Sequence, residues 1–214
     1  MDRRVAVLLF LLLACAILLS LAAHVFAVFP FDLKITHELQ EEQSPIFAAV
    51  MHMVSAIGEP LFETALIVTV TAIFVVWRQW REAVFVLATV SSVVLTSLIK
   101  IIVGRPRPPL FPVNPADFFR FINQYSFPSG HVLFFVVFFG FMGYLAWLHL
   151  AGRVRVLVIA FCSVLILLIG PSRVYLGAHW ASDVIGSYVI GGLWLFILVL
   201  AYQLAVHRSS ARTG

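Results

Sequence analysis

Six long stretches with few or no charged side chains constrain this chain more than any other feature of its sequence. They lie at about residues 5–29, 60–77, 83–103, 129–148, 154–171 and 183–206. A helix needs about 20 apolar residues to cross the hydrocarbon core of a bilayer, and the stretches approach or reach that length. Polar and apolar residues do not alternate along them, and backbone polar groups cannot stay unpaired in lipid. The sequence therefore predicts an all-α membrane bundle of six transmembrane helices.

The composition excludes a water-soluble globular domain. Hydrophobic residues make up 62% of the 214 residues and charged residues only 11%, whereas a soluble domain is about half apolar and a quarter charged. The net charge is +4 and no basic run is present, so we expect no nucleic-acid partner. Six spans with short connections use nearly the whole length. The chain is therefore predicted to be a single membrane domain over residues 1–214.

The basic residues predict the orientation, because short cytoplasmic connections are enriched in arginine and lysine. The first stretch follows two arginines and is, at 25 residues, long for a signal peptide, so we interpret it as a retained anchor. The arginines on the predicted inner side are Arg3, Arg4, Arg78, Arg81, Arg153, Arg155, Arg208 and Arg212. We therefore expect an integral membrane protein with both termini in the cytoplasm and its functional side facing out.

Three segments are predicted to lie on the outer side, between the spans. Apolar residues recur at helical spacing along one side of residues 31–59, which predicts short helices lying at the membrane interface. Residues 104–128 form a long outer loop that five prolines stiffen in its first half. Residues 170–183 form a short polar link.

Candidate functional side chains lie at the outer ends of four spans. Ionisable groups near the membrane are costly and therefore suggest function. The candidate residues are Lys100 and Arg107 after the third span, Ser129, Gly130 and His131 at the start of the fourth, Arg173 at the end of the fifth, and His179 and Asp183 at the start of the sixth. With the predicted topology, all of them meet at one face of the membrane.

These residue types suit the binding of a phosphate group. Lys100, Arg107 and Arg173 are three cations, and the two guanidinium groups can each grip an oxyanion through paired hydrogen bonds. Ser129 and Gly130 stand where a helix begins, so backbone N–H groups and the positive end of the helix dipole can face an anion. Because no carboxylate cluster suited to magnesium accompanies them, we expect no metal site.

The two histidines suggest how a bound phosphate would react. His179 and Asp183 are four residues apart and share one helical face. The carboxylate can keep one imidazole nitrogen protonated and leave the other as a nucleophile. His131 is then available as a general acid for the leaving oxygen.

Three motifs in this order resemble the signatures of the type 2 phosphatidic acid phosphatase superfamily. They are Lys100-x6-Arg107-Pro108, Pro128-Ser129-Gly130-His131 and Ser172-Arg173-x5-His179-x3-Asp183. The resemblance implies a metal-independent membrane lipid phosphatase that needs no cofactor and forms a phosphohistidine. It further implies that His179 is the nucleophile, Asp183 orients it and His131 protonates the leaving group. The chain is also similar in scale to bacterial members, which implies the bacterial inner membrane with the active site on the periplasmic or extracellular side. Five residues would hold the phosphoryl oxygens: Lys100, Arg107, Ser129, Gly130 and Arg173.

The resemblance also implies a substrate class. A lipid phosphate or diphosphate would enter sideways from the bilayer, for example undecaprenyl diphosphate, phosphatidylglycerol phosphate or phosphatidic acid, and no protein partner is evident. A phosphotransferase that passes the phosphoryl group to an acceptor lipid is an alternative that the sequence does not separate from a hydrolase. A lipid transporter or binding protein fits less well, because no inverted repeat is visible and every catalytic position is present.

Four residues keep open roles at this point. Arg105 and Pro106 repeat the Arg-Pro dipeptide two residues early, and only the six-residue gap selects Arg107. Glu59 and Glu63 either contact the head group or cap a helix. Trp180 adjoins His179, and we interpret it as a residue of the interfacial aromatic belt rather than of the pocket.

Overall fold

The computed structural model describes residues 3–109 and 120–213 of the chain. Within these ranges the chain is all-helical, with ten helices and one isolated bridge between Pro106 and Tyr125. The helices are α1 (Arg3–Val25), α2 (Pro30–Gln40), α3 (Pro45–Ile57), α4 (Pro60–Val76), α5 (Trp80–Ala88), α6 (Ser91–Val103), α7 (Arg120–Asn123), α8 (Gly130–His149), α9 (Gly152–Tyr175) and α10 (Ala181–Thr213). The predicted all-α class is confirmed. Part of the predicted outer loop, residues 110–119, lies outside the described residues.

In the described part of the chain, five helical segments are long and apolar enough to cross a membrane. They are Arg3–Val25, Trp80–Val103, Gly130–His149, Gly152–Tyr175 and Ala181–His207. The predicted span at 60–77 corresponds to α4, which has 17 residues and is bent by 61° from α3. If this bent pair is one broken span, the number rises to six. The chain is therefore an integral membrane protein, and six spans stay a prediction.

Helix α8 is the centre of the bundle. Among the 18 most apolar consecutive residues of α8, 61% are buried inside the protein, whereas only 6% are buried in the equivalent part of α1. Phenylalanine rings pack along α8, with Phe134 stacked on Phe138 at 5.2 Å between centroids and Phe135 tilted against Phe139 at 5.0 Å. Large apolar side chains on α1, α4 and α9 are exposed, as expected for helices that face lipid.

Local sequence signals set the helix boundaries near the outer segments. Helices α2, α3 and α4 each have proline at their first position, where the missing N–H costs nothing and the fixed φ angle suits a helix. Helix α6 ends at Gly104, whose φ of 64° lies in the left-handed region that glycine adopts readily. The chain then runs beside Tyr125 and Ser126, and Ser126 N–H donates to Arg105 O at 2.8 Å.

Helices α9 and α10 approach each other closely at Gly170. A Cβ atom at this position would lie 2.6 Å from Val184 Cγ1 and 2.7 Å from the Tyr188 hydroxyl. That hydroxyl donates to Ile166 O at 2.7 Å, so its position is already fixed by another contact. The absence of a side chain at Gly170 therefore permits the contact between α9, which carries Arg173, and α10, which carries Asp183.

We expect Gly170→Ala to destabilise the protein by about 1–3 kcal/mol, because the added methyl group overpacks the contact between α9 and α10. Gly192→Ala is the matched control, because a Cβ atom at that position would have no neighbour within 4 Å in the described part of the chain. This change should leave stability unaltered or raise it by up to about 1 kcal/mol through helix propensity. Thermal unfolding of both variants in detergent micelles measures the difference. Equal effects of the two substitutions would contradict the close approach.

Candidate active site

The predicted site residues lie together at one end of the bundle. Lys100 is in the last turn of α6 and Arg173 in the last turn of α9, while Gly130 and His131 open α8. His179 lies in the short connection between α9 and α10. The cations of Lys100, Arg107 and Arg173 and the ring of His131 all act electrostatically on the His179 imidazole. The structure therefore brings the three sequence motifs to one place.

His179 is buried beside Asp183. The side chain of His179 is only 2% exposed, and its Nδ1 atom lies 3.6 Å from Asp183 Oδ2. The same carboxylate oxygen accepts the backbone N–H of Trp180 at 2.9 Å, which fixes the carboxylate at the start of α10. The carboxylate therefore lies on the Nδ1 side of the imidazole. The predicted shared helical face was wrong, because α10 begins at Ala181 and His179 lies in the connection before it.

Burial and nearby cations set the protonation state of His179. Burial lowers the pKa of His179 well below its ordinary value, and the positive charges of Arg107, Lys100 and Arg173 lower it further. The imidazole is therefore neutral at neutral pH. A neutral imidazole with its Nδ1 side facing a carboxylate has Nε2 available for attack on an electrophile.

The two neighbouring arginines have different surroundings. Arg105 is completely buried and forms ion pairs with Asp183 Oδ1 at 2.5 Å and Asp32 Oδ2 at 2.8 Å. Arg107 is half-buried and donates to Ala178 O at 2.9 Å and Asn123 O at 2.5 Å. Burial lowers the pKa of Arg107 to about 10, so this guanidinium stays charged at neutral pH. The open question about Arg105 therefore has a structural answer: it contacts the carboxylate beside His179.

Lys100, Arg173 and Ser129, the other predicted phosphate-binding residues, have buried polar side-chain atoms. Lys100 is buried and donates to Tyr125 O at 3.1 Å. Arg173 donates from Nη1 to Ser55 Oγ, whereas its Nε is buried and makes no hydrogen bond with the described part of the chain. The Ser129 hydroxyl is also buried and makes no hydrogen bond with the described part of the chain. The Ser129 N–H, in contrast, donates to Ser187 Oγ at 2.7 Å. The Nε of Arg173 and the hydroxyl of Ser129 can therefore donate to an oxyanion.

His131 lies against the junction between α3 and α4. Its Nε2 is 3.5 Å from Glu59 Oε1, and its ring packs against Gly58. The Glu59 side chain is 56% exposed, so the pair stands at the edge of the site. Glu59 is therefore oriented toward the histidine that we expect to act as the acid.

Several polar contacts of the site were not identified from the sequence. They involve Asp32, Ser55, Ser182 and Ser187. Only Ser187 had a sequence signal, because it follows Asp183 by four residues and shares its helical face. The interpretation of Trp180 as a belt residue was wrong, because Trp180 is only 4% exposed. Its backbone N–H donates to Asp183 Oδ2, so Trp180 lies beside this carboxylate.

Comparison with known families agrees with this geometry. A family model described as the PAP2 superfamily matches residues 81–206, more than half of the chain, and the match includes all three motifs. The chain belongs to the PAP2 superfamily. This is the superfamily that the three motifs resemble, so that prediction is confirmed.

Individual PAP2 relatives are similar over much of the chain. Phosphatidylglycerophosphatase B of Bacillus subtilis is 30% identical over 195 residues, which cover 90% of this chain and 93% of the relative. Undecaprenyl-diphosphatase of Sulfolobus acidocaldarius is 29% identical over 138 residues, 61% of this chain and 60% of the relative. The crystal structure of a transmembrane PAP2-type phosphatidylglycerolphosphate phosphatase from Bacillus subtilis matches with a TM-score of 0.75 and 27% identity, covering 89% of this chain and 93% of that one. This PAP2 protein is an integral-membrane phosphatase.

We expect the His179 imidazole to titrate well below its ordinary pKa of about 6.5. Arg107→Gln should raise the pKa of His179, because it removes a cation that disfavours the protonated ring. The neutral form would then be lost at a higher pH on acidification than in the unaltered protein. Nuclear magnetic resonance of isotope-labelled histidine in micelles measures both values, with His179→Gln to assign the signal. An unchanged or lower pKa in Arg107→Gln would contradict the predicted proximity.

Proposed function

We propose that this protein hydrolyses a phosphomonoester or diphosphate of a membrane lipid through a phosphohistidine on His179, without a metal ion. The observation that carries the proposal is the buried, neutral imidazole of His179, which has Asp183 on one side and the cations Lys100, Arg107 and Arg173 around it. A nucleophile among three cations suits attack on a phosphorus atom, whose oxygens carry negative charge.

In the first proposed step, Nε2 of His179 attacks phosphorus and the bond from phosphorus to the leaving oxygen breaks. His131 donates a proton to that oxygen, so that the product leaves as an alcohol or a lipid monophosphate. Asp183 stabilises the positive charge that develops on the imidazole, through the Nδ1 proton. The phosphoryl group is then bound covalently to His179.

In the second proposed step, water attacks the phosphohistidine. His131, now neutral, accepts a proton from the water as the new bond to phosphorus forms, and the bond to Nε2 breaks. Phosphate is released and His179 returns to its neutral state. Lys100, Arg107, Arg173 and the N-terminal end of α8, with Ser129 and Gly130, stabilise the charge on the phosphoryl oxygens in both steps.

A cavity beside the site supports a lipid substrate that enters from the bilayer. It has a volume of about 450 Å³, lies between α4 and the segment α5–α6, and is lined mainly by apolar side chains. Glu63, Ile122 and Asn123 line it as well. Asn123 O accepts a hydrogen bond from Nε of Arg107. This contact connects the cavity to the proposed phosphate-binding side of the site. An acyl or prenyl chain placed here would keep its phosphate near the cations.

The names of the relatives indicate candidate substrates. Phosphatidylglycerol phosphate and undecaprenyl diphosphate are the first two, and phosphatidic acid is a third lipid with the same exposed phosphate chemistry. The proposal requires no cofactor and no protein partner. The proposed membrane topology has six spans, with α4 as the second span and α2 and α3 at the outer interface, where Glu59 and Ser55 reach His131 and Arg173. It places both termini in the cytoplasm and the site on the periplasmic face of a bacterial inner membrane.

Phosphate release from purified protein in detergent with excess EDTA tests the proposed function. Undecaprenyl diphosphate, phosphatidylglycerol phosphate and phosphatidic acid are offered in parallel. We expect release that EDTA does not inhibit and that His179→Ala lowers by about a thousandfold or more, because the nucleophile is lost.

His52→Ala is the matched control for this assay, because His52 is exposed on α3 and lies outside the site. It should retain full activity. Loss of activity on addition of EDTA would contradict the metal-independent mechanism. No release from any lipid, together with transfer to an added acceptor lipid, would show a phosphotransferase instead of a hydrolase.

The role of His131 predicts a dependence on the leaving group. We expect His131→Ala to slow hydrolysis of a lipid phosphate by about 10²–10⁴-fold, because an alkoxide leaves poorly without a proton. A nitrophenyl phosphate should be affected much less, because its leaving group is stable as an anion. Parallel measurement of kcat/KM on the two substrates gives the comparison. An equal loss on both would contradict the role of His131 as the acid.

A further inference from the structure

A buried network of charges contacts the Asp183 carboxylate beside His179. Arg105 Nη1 donates to Asp183 Oδ1 at 2.5 Å and to Ser182 Oγ at 2.7 Å. Its Nη2 donates to Asp32 Oδ2 at 2.8 Å, and its Nε donates to Ala27 O at 3.1 Å. One guanidinium therefore contacts two carboxylates and the chain that follows α1.

The Asp183 carboxylate has a separate partner on each oxygen. Oδ1 accepts Arg105, whereas Oδ2 accepts the Trp180 N–H and lies nearest to His179 Nδ1. Because the side chains of Arg105 and Asp183 are completely buried, the guanidinium rather than bulk solvent satisfies Oδ1. Arg105 therefore holds the plane of the carboxylate so that Oδ2 faces the imidazole.

Asp32 fixes the other side of the guanidinium. Its Oδ2 accepts Arg105, the hydroxyl of Ser182 and the N–H of Phe29, and its Oδ1 accepts the N–H of Ser182 at 2.8 Å. Ser182 is in the first turn of α10, so Asp32 caps this helix from α2, where a carboxylate also interacts favourably with the helix dipole. Asp32 thereby connects α2 to the turn of α10 that carries Asp183.

We propose that Arg105 and Asp32 are positioning residues for the nucleophile. They hold the Asp183 carboxylate ionised and directed at His179, while Arg107, two residues further along, belongs to the phosphate-binding side. The inference rests on the proposed function, since it assigns a task to the nucleophile His179. It predicts that the two arginines affect different kinetic parameters.

Lysine is not equivalent to arginine at position 105. A guanidinium presents five N–H donors in a planar fork, and the Arg105 side chain uses that fork for four contacts at once. An ammonium group on a lysine stem is a compact charge that cannot bond both carboxylates with the same geometry. Arg105→Lys should therefore keep the charge balance and lose the orientation of Asp183.

A double-mutant cycle between Arg105 and Asp183 tests the proposal. The variants are Arg105→Gln, Asp183→Asn and the combination, assayed for kcat and KM on the lipid that the unaltered protein hydrolyses. We expect each single change to lower kcat by about 100-fold or more, because each leaves the His179 imidazole without an ionised and correctly oriented carboxylate. The double variant should lie within about threefold of Asp183→Asn alone, because Arg105 acts through Asp183.

A purely structural role for Arg105 predicts a different result. The losses in kcat would then multiply in the double variant, and that outcome would overturn the proposal. The KM of Arg105→Gln should stay within about threefold of the original value, whereas Arg107→Gln should raise KM because it removes a phosphate ligand. A rise in KM for Arg105→Gln as large as that for Arg107→Gln would also overturn it.

Two further variants keep the test decisive if Arg105→Gln does not fold. Arg105→Lys and Asp32→Asn retain side chains of similar size, and each should lower kcat by about tenfold with little change in KM. Lys34→Gln is the matched control on α2, because its side chain is 76% exposed, and it should behave as the unaltered protein. Full kcat in both Arg105→Lys and Asp32→Asn would overturn the proposal.

Failure of the proposed function gives a distinct result. If His179→Ala retained activity, or if the unaltered protein released no phosphate, the phosphohistidine mechanism itself would be wrong before any variant of Arg105 is compared. If His179→Ala is inactive and Arg105→Lys is normal, only the positioning role is wrong.

Discussion

The structure of the outer end of this bundle depends on one constraint, which is that a buried charge must have a partner. Four basic side chains, Lys100, Arg105, Arg107 and Arg173, lie together at this end, and the bundle behind them is too apolar to solvate them. The chain meets this constraint with backbone carbonyls for Lys100 and Arg107 and with two carboxylates for Arg105. Segments far apart in sequence therefore converge on the site because each supplies an acceptor that a buried donor needs.

Hydrophobic packing between the helices also fixes the end of the molecule where the site residues lie. Helix α8 is surrounded by the other helices and packed with phenylalanine rings, so its first residues, Gly130 and His131, are held in a fixed position. Helices α9 and α10 pack closely at Gly170, a short distance below the connection that carries His179. The ends of packed helices and the short connections beside them thus set the positions of His179, His131 and the three cations.

The sequence predicts the helices and the three motifs because both depend on local spacing. Hydrophobic length identifies the spans. The four-residue interval predicts that His179 lies near Asp183, although His179 is in the connection before α10 and does not share a helical face with Asp183. The other contacts of the site join residues that are 73 positions apart, for Arg105 with Asp32, or 118, for Arg173 with Ser55. No local pattern encodes such pairs. The break between α3 and α4 falls at the predicted boundary between residues 31–59 and the span at 60–77, whereas the packing of Gly58 against His131 has no local signal in the sequence.

The repeated Arg-Pro dipeptide has a simple physical explanation in this fold. The chain around Pro106 is extended and pairs with Tyr125, and side chains two residues apart in an extended segment face the same side. Arg105 reaches Asp183 in the first turn of α10, and Arg107 reaches Ala178 O in the connection that precedes this helix. The exposed Pro106 faces away from them. A spacing of two residues thus allows one guanidinium to bind the carboxylate beside His179, while the next lies beside the proposed phosphate-binding face.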